Sequence, residues 1–280
     1  MVKILDGKKV RDFLANKIQK EIKKLNIKPK LVIIQVGDDE RSSVYVKQKK
    51  IFGEKLGFDI EYIQLDKTIK EVGLISRIES FNNDKSVNGI IVQLPLPKNI
   101  DAVKIIETIK SEKDVDGLNS KNLRSIFDGN EKGFVPATTK GIMSLLGYYK
   151  IPIEGKKVTI IGRSLLVGRP TALMFLNMNA TVTVCHSKTK KIIDEVQRAD
   201  IVISATGVPG LINKKMVKNG QVIIDVGITK VGDQLLGDVD FKPVSKIVRA
   251  ITPVPGGVGP MTVISLFENL LLAYKRQKIV

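Results

Sequence analysis

The sequence predicts an α/β protein built as two α/β lobes, and three observations carry that reading. Short runs rich in Val and Ile alternate with segments of helical periodicity along most of the 280 residues. The alternation comes in two series separated by a polar, turn-rich stretch, KDVDGLNSKNLRSIFDGNEKGFVPATTKG. A hydrophobic content of 43% supplies enough apolar side chains for a substantial core.

In the first series the spacing predicts a helix over residues 8–25, where Val10, Leu14, Ile18, Ile22 and Leu25 recur every three or four positions. A strand at 30–36, a helix at 42–56, a strand at 59–65 and a helix at 70–82 follow. A strand at 87–94 and a helix at 101–109 complete that series. The turn-rich stretch reads as a passage between lobes, continuing into a connecting helix at 139–149. The second series runs strand 157–161, helix 168–178, strand 181–185, helix 190–198, then strands at 201–205, 222–226 and 247–250. A loop, ITPVPGGVGP, leads to an apolar final helix at 262–275 with Thr262 as its cap. The expected domains are residues 1–138, with 261–280 packing back on them, and residues 139–260.

Composition narrows the function classes. Lys and Arg number 46 against 29 Asp and Glu, a net charge of +17. The basic residues are mostly lysines scattered along the chain, with no basic tail and no aromatic-interleaved basic strand, so a nucleic-acid partner is not expected. Mild attraction of an anionic small substrate fits better. No apolar run approaches the roughly 20 residues that cross a bilayer, and no membrane partner is expected. The amphipathic first 25 residues lack a signal-peptide h-region. Cys185 is the single cysteine and His186 the single histidine, which excludes an internal disulfide and a multi-cysteine metal centre. A cytoplasmic protein without a metal is the expectation.

Candidate chemistry begins with SSVYVKQKKIFGEKLGF. As a helix it places Tyr45, Gln48, Lys49, Phe52 and Leu56 on one stripe, so one lysine shares a face with aromatic and apolar side chains. Such a lysine either snorkels past a tyrosine or is desolvated for chemistry. In VNGIIVQLPLP, Gln93 closes a buried strand and either meets a ligand or neighbouring amine or satisfies its own loop. Asp116 in KDVDG is an Asx-turn residue or a ligand contact.

KKVTIIGRSLLVGRPTALMF reads as strand, tight turn, helix. Gly162 sits at the first turn of a dinucleotide-binding fold and Gly168 opens the helix that would face a pyrophosphate, although G-x-S-x-x-x-G departs from the usual fingerprint. At the end of the next strand stand Cys185, His186, Ser187 and Lys188, with no carboxylate to repel a 2′-phosphate. Arg163, Ser187 and Lys188 could donate to one, which favours NADP over NAD. His186 is a cofactor contact or an ordinary turn residue. Gly256, Gly257 and Gly259 would let backbone approach a planar ligand or cofactor closely.

Taken together, SSVYVKQKK, GIIVQLPLP, KDVDG, IGRSLLVGRP, ATVTVCHSKT, ADIVISATG, VIIDVGI, GDVDF and ITPVPGGVGPMT resemble, in order and over nearly the whole chain, the bifunctional 5,10-methylenetetrahydrofolate dehydrogenase/cyclohydrolases. The resemblance implies a catalytic folate-binding lobe, a Rossmann lobe for NADP, and a C-terminal helix returning to the first lobe. It implies that Lys49 and Tyr45 are catalytic with Gln93 contacting the lysine. Ser42, Tyr45, Asp116, Pro255, Gly256, Gly257 and Val258 would meet the folate. Gly162, Arg163, Ser164, Gly168, His186, Ser187, Thr206, Gly207, Ile228 and Thr252 would meet NADP.

The same resemblance implies one-carbon metabolism serving purine biosynthesis, a folate that can carry a polyglutamyl tail, and a homodimer formed through the cofactor lobe. Two departures stand out. The chain has Pro136-Ala137-Thr138-Thr139-Lys140-Gly141 where family members often show PCTPKG, and Leu165 where a polar residue is common. A dehydrogenase lacking the hydrolytic step is the nearer alternative; a non-catalytic nucleotide- or nucleic-acid-binding protein is the remote one.

Overall fold

The computed structural model describes residues 2–130 and 132–279, with the side chains of residues 40–42, 44, 45 and 279 outside the described set. In chain order the elements are β1 (Lys3–Ile4), α1 (Gly7–Leu25), β2 (Lys30–Val36), α2 (Glu40–Leu56), β3 (Asp59–Leu65), α3 (Glu71–Asn83), β4 (Val87–Val92), α4 (Ala102–Thr108) and α5 (Ser120–Phe127). They continue as α6 (Ala137–Tyr148), β5 (Lys157–Ile161), α7 (Gly168–Asn177), β6 (Thr181–Cys185), α8 (Ile192–Arg198), β7 (Ile201–Ser204) and β8 (Val222–Asp225). The last are β9 (Thr229–Val231), β10 (Gln234–Leu236), α9 (Phe241–Ser245), β11 (Ala250–Ile251) and α10 (Val258–Ile279).

The chain divides into two compact units. One comprises residues 14–135 and 266–280, the other residues 1–13 and 136–265. The division runs through α1 and α10, and it places the first thirteen residues in the second unit, where residues 1–138 had been expected to stay together. The reason is β1, which was not foreseen: its two residues pair in parallel with Ala250 and Ile251 of β11.

In the unit that carries Lys49, three parallel strands run in the order β3-β2-β4. Every residue of β4 and all but the first of β2 are buried, the near-continuous apolar pattern of parallel strands covered on both faces. Val32, Ile34, Leu74, Ile78 and Ile105 belong to the cluster that fills one side. The end of α10 supplies the rest of the core. Phe267 is fully buried and stacks on Phe58 at 5.1 Å between ring centroids. Asn269 Nδ2 donates to the carbonyls of Val115 and Val135 at 2.9 and 3.0 Å, which ties the helix to the loop carrying Asp114 and Asp116.

The second unit holds a six-stranded, all-parallel sheet in the order β1-β11-β8-β7-β5-β6. β5 lies between β6 and β7, so the chain leaves it first to one side and then to the other. That reversal is the topological switch point at which such sheets bind ligands.

Several elements differ from expectation. The final helix begins at Val258, so Thr262 does not cap it; from inside the first turns its hydroxyl bonds back to the Val258 carbonyl at 3.4 Å. The last strand is Ala250–Ile251 instead of 247–250, because residues 246–249 form a turn that follows α9. Helix α5 lies inside the stretch read as a passage; its first turn is capped by Asn119, whose side chain accepts from the Lys121 N–H. With only a few apolar residues among polar ones, it lacked the sustained period that marks a helix.

Phe267→Ala removes a fully buried ring packed on another and should destabilise the protein by about 3–5 kcal/mol, read from urea unfolding against the parent.

Candidate active site

Three residues chosen from the sequence, Lys49, Gln93 and Asp116, come together in the first unit. Lys49 stands in α2, Gln93 one residue beyond β4, and Asp116 in the loop after α4. Lys49 Nζ donates to Gln93 Oε1 at 3.0 Å. The glutamine is itself fixed: its Nε2 donates to the Leu94 carbonyl at 2.7 Å and its backbone N–H to the Ile34 carbonyl at 2.8 Å. With the amide NH2 so engaged, the oxygen is the atom presented to the amine. Lys49 keeps some exposed surface, yet burial of its amine pushes its pKa below the ordinary lysine value, and the carboxylate of Asp116 pulls it partly back. Burial likewise pushes Asp116 up, with Lys49 opposing the rise. The pair therefore resists holding two separated charges.

The stripe on α2 needs one correction. Val46 and Leu56 are buried and Phe52 and Lys49 half-buried, whereas Gln48 is exposed. The side chains of Tyr45 and Ser42 lie outside the described residues. Asp114 shows why KDVDG has two aspartates: it accepts from the N–H groups of Gly117 and Asn119 and from Asn122 Nδ2 at 3.1, 2.7 and 2.9 Å. One carboxylate builds the loop, and burial pushes it up to about 6. The other interacts electrostatically with the amine of Lys49. Gln35, which the sequence did not flag, is buried at the end of β2, accepts from Tyr62 Oη at 3.1 Å and donates to Ser43 Oγ at 2.9 Å. It pins the first turn of α2.

In the second unit the turn after β5 lies at the switch point. Gly162 has φ +122°, and a Cβ there would stand 2.4 Å from the Ala205 carbonyl oxygen. A Cβ on Gly168 would stand 2.2 Å from the Gly162 oxygen. Both positions thus require glycine. Ser164 Oγ accepts from the N–H groups of Val167 and Gly168 at 3.2 and 3.4 Å, which shapes the entry to α7. Arg163, Ser164, Ser187 and Lys188 are exposed around this turn and the end of β6. A helix N-terminus, two cations and no nearby carboxylate in the 185–188 segment suit a dinucleotide bearing an extra phosphate.

His186 closes its own turn: Nδ1 accepts from the Lys188 N–H at 3.1 Å, and its N–H donates to Thr189 Oγ1 at 2.9 Å. Thr252 is buried, its hydroxyl accepting from the Asp225 N–H at 2.7 Å. Thr206 and Ile228 are half-buried and Gly207 exposed, on loops that follow β7 and β8. Pro255 is exposed, but Gly256, Gly257 and Val258 are buried. The close approach their glycines permit is to backbone: the Gly256 carbonyl accepts from the N–H groups of Gly7 and Lys8 at 2.9 and 3.3 Å, and a Cβ on Gly257 would meet the Pro253 oxygen at 2.5 Å. Asp225 and Asp238, absent from the sequence-based choice, are buried at the same end of the sheet. Aspartates beside glycines in VIIDVGI and GDVDF were the available signal.

These features define a dinucleotide-dependent α/β enzyme with a desolvated amine in its other unit. Residues 5–116 match the catalytic domain, and residues 136–278 the NAD(P)-binding domain, of tetrahydrofolate dehydrogenase/cyclohydrolase. The chain is 48% identical over 275 residues to the bifunctional protein FolD of Hydrogenobaculum sp. (strain Y04AAS1), covering 98% of this chain and 99% of that one. The crystal structure of the bifunctional FolD from Campylobacter jejuni matches with a TM-score of 0.96 at 42% identity, covering 99% of both chains. That of Trypanosoma brucei FolD, complexed with NADP cofactor and inhibitor, matches with a TM-score of 0.96 at 35% identity, covering 100% of this chain and 99% of that one. The chain belongs to the tetrahydrofolate dehydrogenase/cyclohydrolase family.

Burial pushes Asp225 up to about 7 from the unfolded value of 3.8, assisted by the neighbouring Asp238. Between those values the folded state binds more protons than the unfolded, so this group's contribution to stability falls as pH rises. Asp225→Asn should flatten the decline of stability between about pH 4 and 7 whatever its absolute effect, measured by urea unfolding across that range.

Proposed function

We propose that this chain oxidises 5,10-methylenetetrahydrofolate to the 5,10-methenyl form with NADP and then hydrolyses that product to 10-formyltetrahydrofolate. The observation that carries the reading is the Lys49 amine, held by Gln93 and depressed by burial, in a chain that aligns along almost its whole length with bifunctional relatives. NADP, when bound, accepts the hydride. The folate nitrogens stabilise the resulting cation, so the protein's task in that step is close approach and orientation.

A fixed ammonium would oppose formation of a cation beside it. A neutral amine does not, and its lone pair can take the proton from the water that attacks the methenyl carbon. Gln93 orients the amine and Asp116 can hold the pterin while moderating the lysine's charge. Tyr45 and Ser42 would line the same site, with Pro255–Val258 contributing to folate binding. Gly162, Arg163, Ser164, Gly168, His186, Ser187, Thr206, Gly207, Ile228 and Thr252 would form the NADP site. Of these, Thr252 fits a supporting role, since its hydroxyl already serves the chain, whereas of the His186 ring only Nδ1 is engaged among the described residues. The +17 charge favours a polyglutamylated substrate. Enzymes of this reaction serve one-carbon supply for purine biosynthesis, and a cytoplasmic setting accords with the lone buried cysteine.

Absorbance assays with methylenetetrahydrofolate should show turnover with NADP far exceeding that with NAD; the reverse would remove the argument from Ser187 and Lys188. Lys49→Met should lower methenyl hydrolysis by about 100-fold or more while hydride transfer stays measurable. In the parent, hydrolysis should rise with pH through a pKa below the ordinary lysine value. Parental hydrolysis in the variant would show that another group is the base, and hydride transfer without hydrolysis in the parent would mark a monofunctional dehydrogenase.

A homodimer through the second unit is also proposed. Strand β6 lies at the edge of its sheet, and Val184, Leu176 and Met178 are exposed on or beside it. Sedimentation equilibrium should give twice the 30.9 kDa chain mass, and Val184→Lys should shift it toward the monomer.

A further inference from the structure

Two buried aspartates in the second unit take no part in the chemistry above. Asp225 ends β8 in VIIDVGI, and Asp238 precedes α9 in GDVDF. Each carboxylate occupies the space left by a glycine of the other's segment. A Cβ on Gly227 would stand 1.9 Å from Asp238 Oδ1, and one on Gly237 2.0 Å from Asp225 Oδ2. The two loops are therefore interlocked, and neither glycine can carry a side chain while both aspartates keep their places.

The hydrogen bonds run outward from this lock. Asp225 accepts from the N–H groups of Gly227, Asp238 and Val239 at 3.1, 3.0 and 2.9 Å, and its own N–H reaches Thr252 Oγ1 at 2.7 Å. Asp238 Oδ2 accepts from Ser204 Oγ at 2.9 Å, from the Thr206 N–H at 2.7 Å and from Thr206 Oγ1 at 2.9 Å. Its other oxygen is buried with no hydrogen-bond partner among the described residues. The next residue, Gly207, accepts from Thr229 Oγ1 at 3.0 Å. Thus Thr206, Gly207 and Thr252 are joined through two carboxylates, and Ile228 lies between the bonded residues Gly227 and Thr229.

Three donors on one oxygen and none on the other is a costly arrangement for a buried carboxyl group. A loop that merely had to close could use an amide or a water. What the arrangement does is hold the Thr206–Gly207 turn by its backbone N–H and its side chain at once. That turn leaves β7, the strand next to β5, at the sheet's ligand-binding end.

We infer that Asp238, locked in place by Asp225, is a positioning residue that sets the Thr206–Gly207 turn for the dinucleotide, and so governs cofactor affinity and hydride transfer without acting on hydrolysis. The inference rests on the NADP reading proposed above. Asp238→Asn keeps the size of the side chain but replaces the carboxyl oxygen that accepts three bonds with the weaker acceptor of an amide. Ser204→Ala removes one donor, at a buried residue whose hydroxyl bonds only to Asp238 in the contacts described.

The test titrates parent and variants with NADPH by fluorescence and assays the two half-reactions separately, with circular dichroism as the check on folding. In Asp238→Asn the NADPH Kd and the dehydrogenase KM for NADP should rise about tenfold or more, with hydrolysis of methenyltetrahydrofolate within about twofold of the parent. Ser204→Ala should show the same pattern at smaller size. Should Asp238→Asn fail to fold, Ser204→Ala decides by the same comparison. Parental NADPH affinity in a folded variant, or equal loss of both half-reactions, overturns the positioning role alone. Failure of the parent itself to bind NADPH overturns the cofactor reading and this inference with it.

Discussion

An amine taken out of water must be given an acceptor, and the acceptor must be held in place. In the first unit this requirement falls on Gln93, whose amide is held from both ends so that its oxygen alone faces Lys49. The glutamine can be so held because β4 stops at Val92 and the chain turns through Leu94 and Pro95. The lysine is delivered by α2, whose first turn is pinned by Gln35 through Ser43. Asp116 comes from a loop that Asp114 has already built. Gln93, Lys49 and Asp116 are thus each positioned by a separate hydrogen-bonded device. The apolar core beneath them, from β2 and β4 to Phe267, keeps those devices in register.

The second unit solves a different problem, that of bringing backbone close to backbone at the open end of a parallel sheet. Gly162 and Gly168 let the first turn fold onto Ala205 and onto itself, and Gly227 and Gly237 make room for the carboxylates that cross-brace the loops after β8 and β10. The glycine positions and the aspartates belong together, since removing either kind of residue takes away the reason for the other.

Much of this was legible in the sequence because parallel strands read as apolar runs and crossover helices as periodic ones. The two parallel sheets and most of their strands were expected, and the family resemblance implied the contact of Lys49 with Gln93. The elements that escaped were short or lacked a period. β1 has two residues and is a strand only because it pairs with β11, itself displaced to Ala250–Ile251 from the expected 247–250, and the three-residue β9 and β10 form a short antiparallel pair. The start of α10 escaped for another reason: Gly256, Gly257 and Gly259 suggested a loop, whereas the helix begins between them and runs on through Thr262. Asp114, Asp225 and Asp238 stood in plain view beside glycines, but their role depends on which loops lie together, and no local pattern states that.

The passage of α1 and α10 through the division between units has a consequence for biosynthesis. Residues 14–135 leave the ribosome before residues 266–280 and so lack Phe267 and Asn269, which complete their core and tie down the loop of Asp116. The nascent chain must therefore carry an unfinished domain until residues 266–280 have been made and can pack onto it.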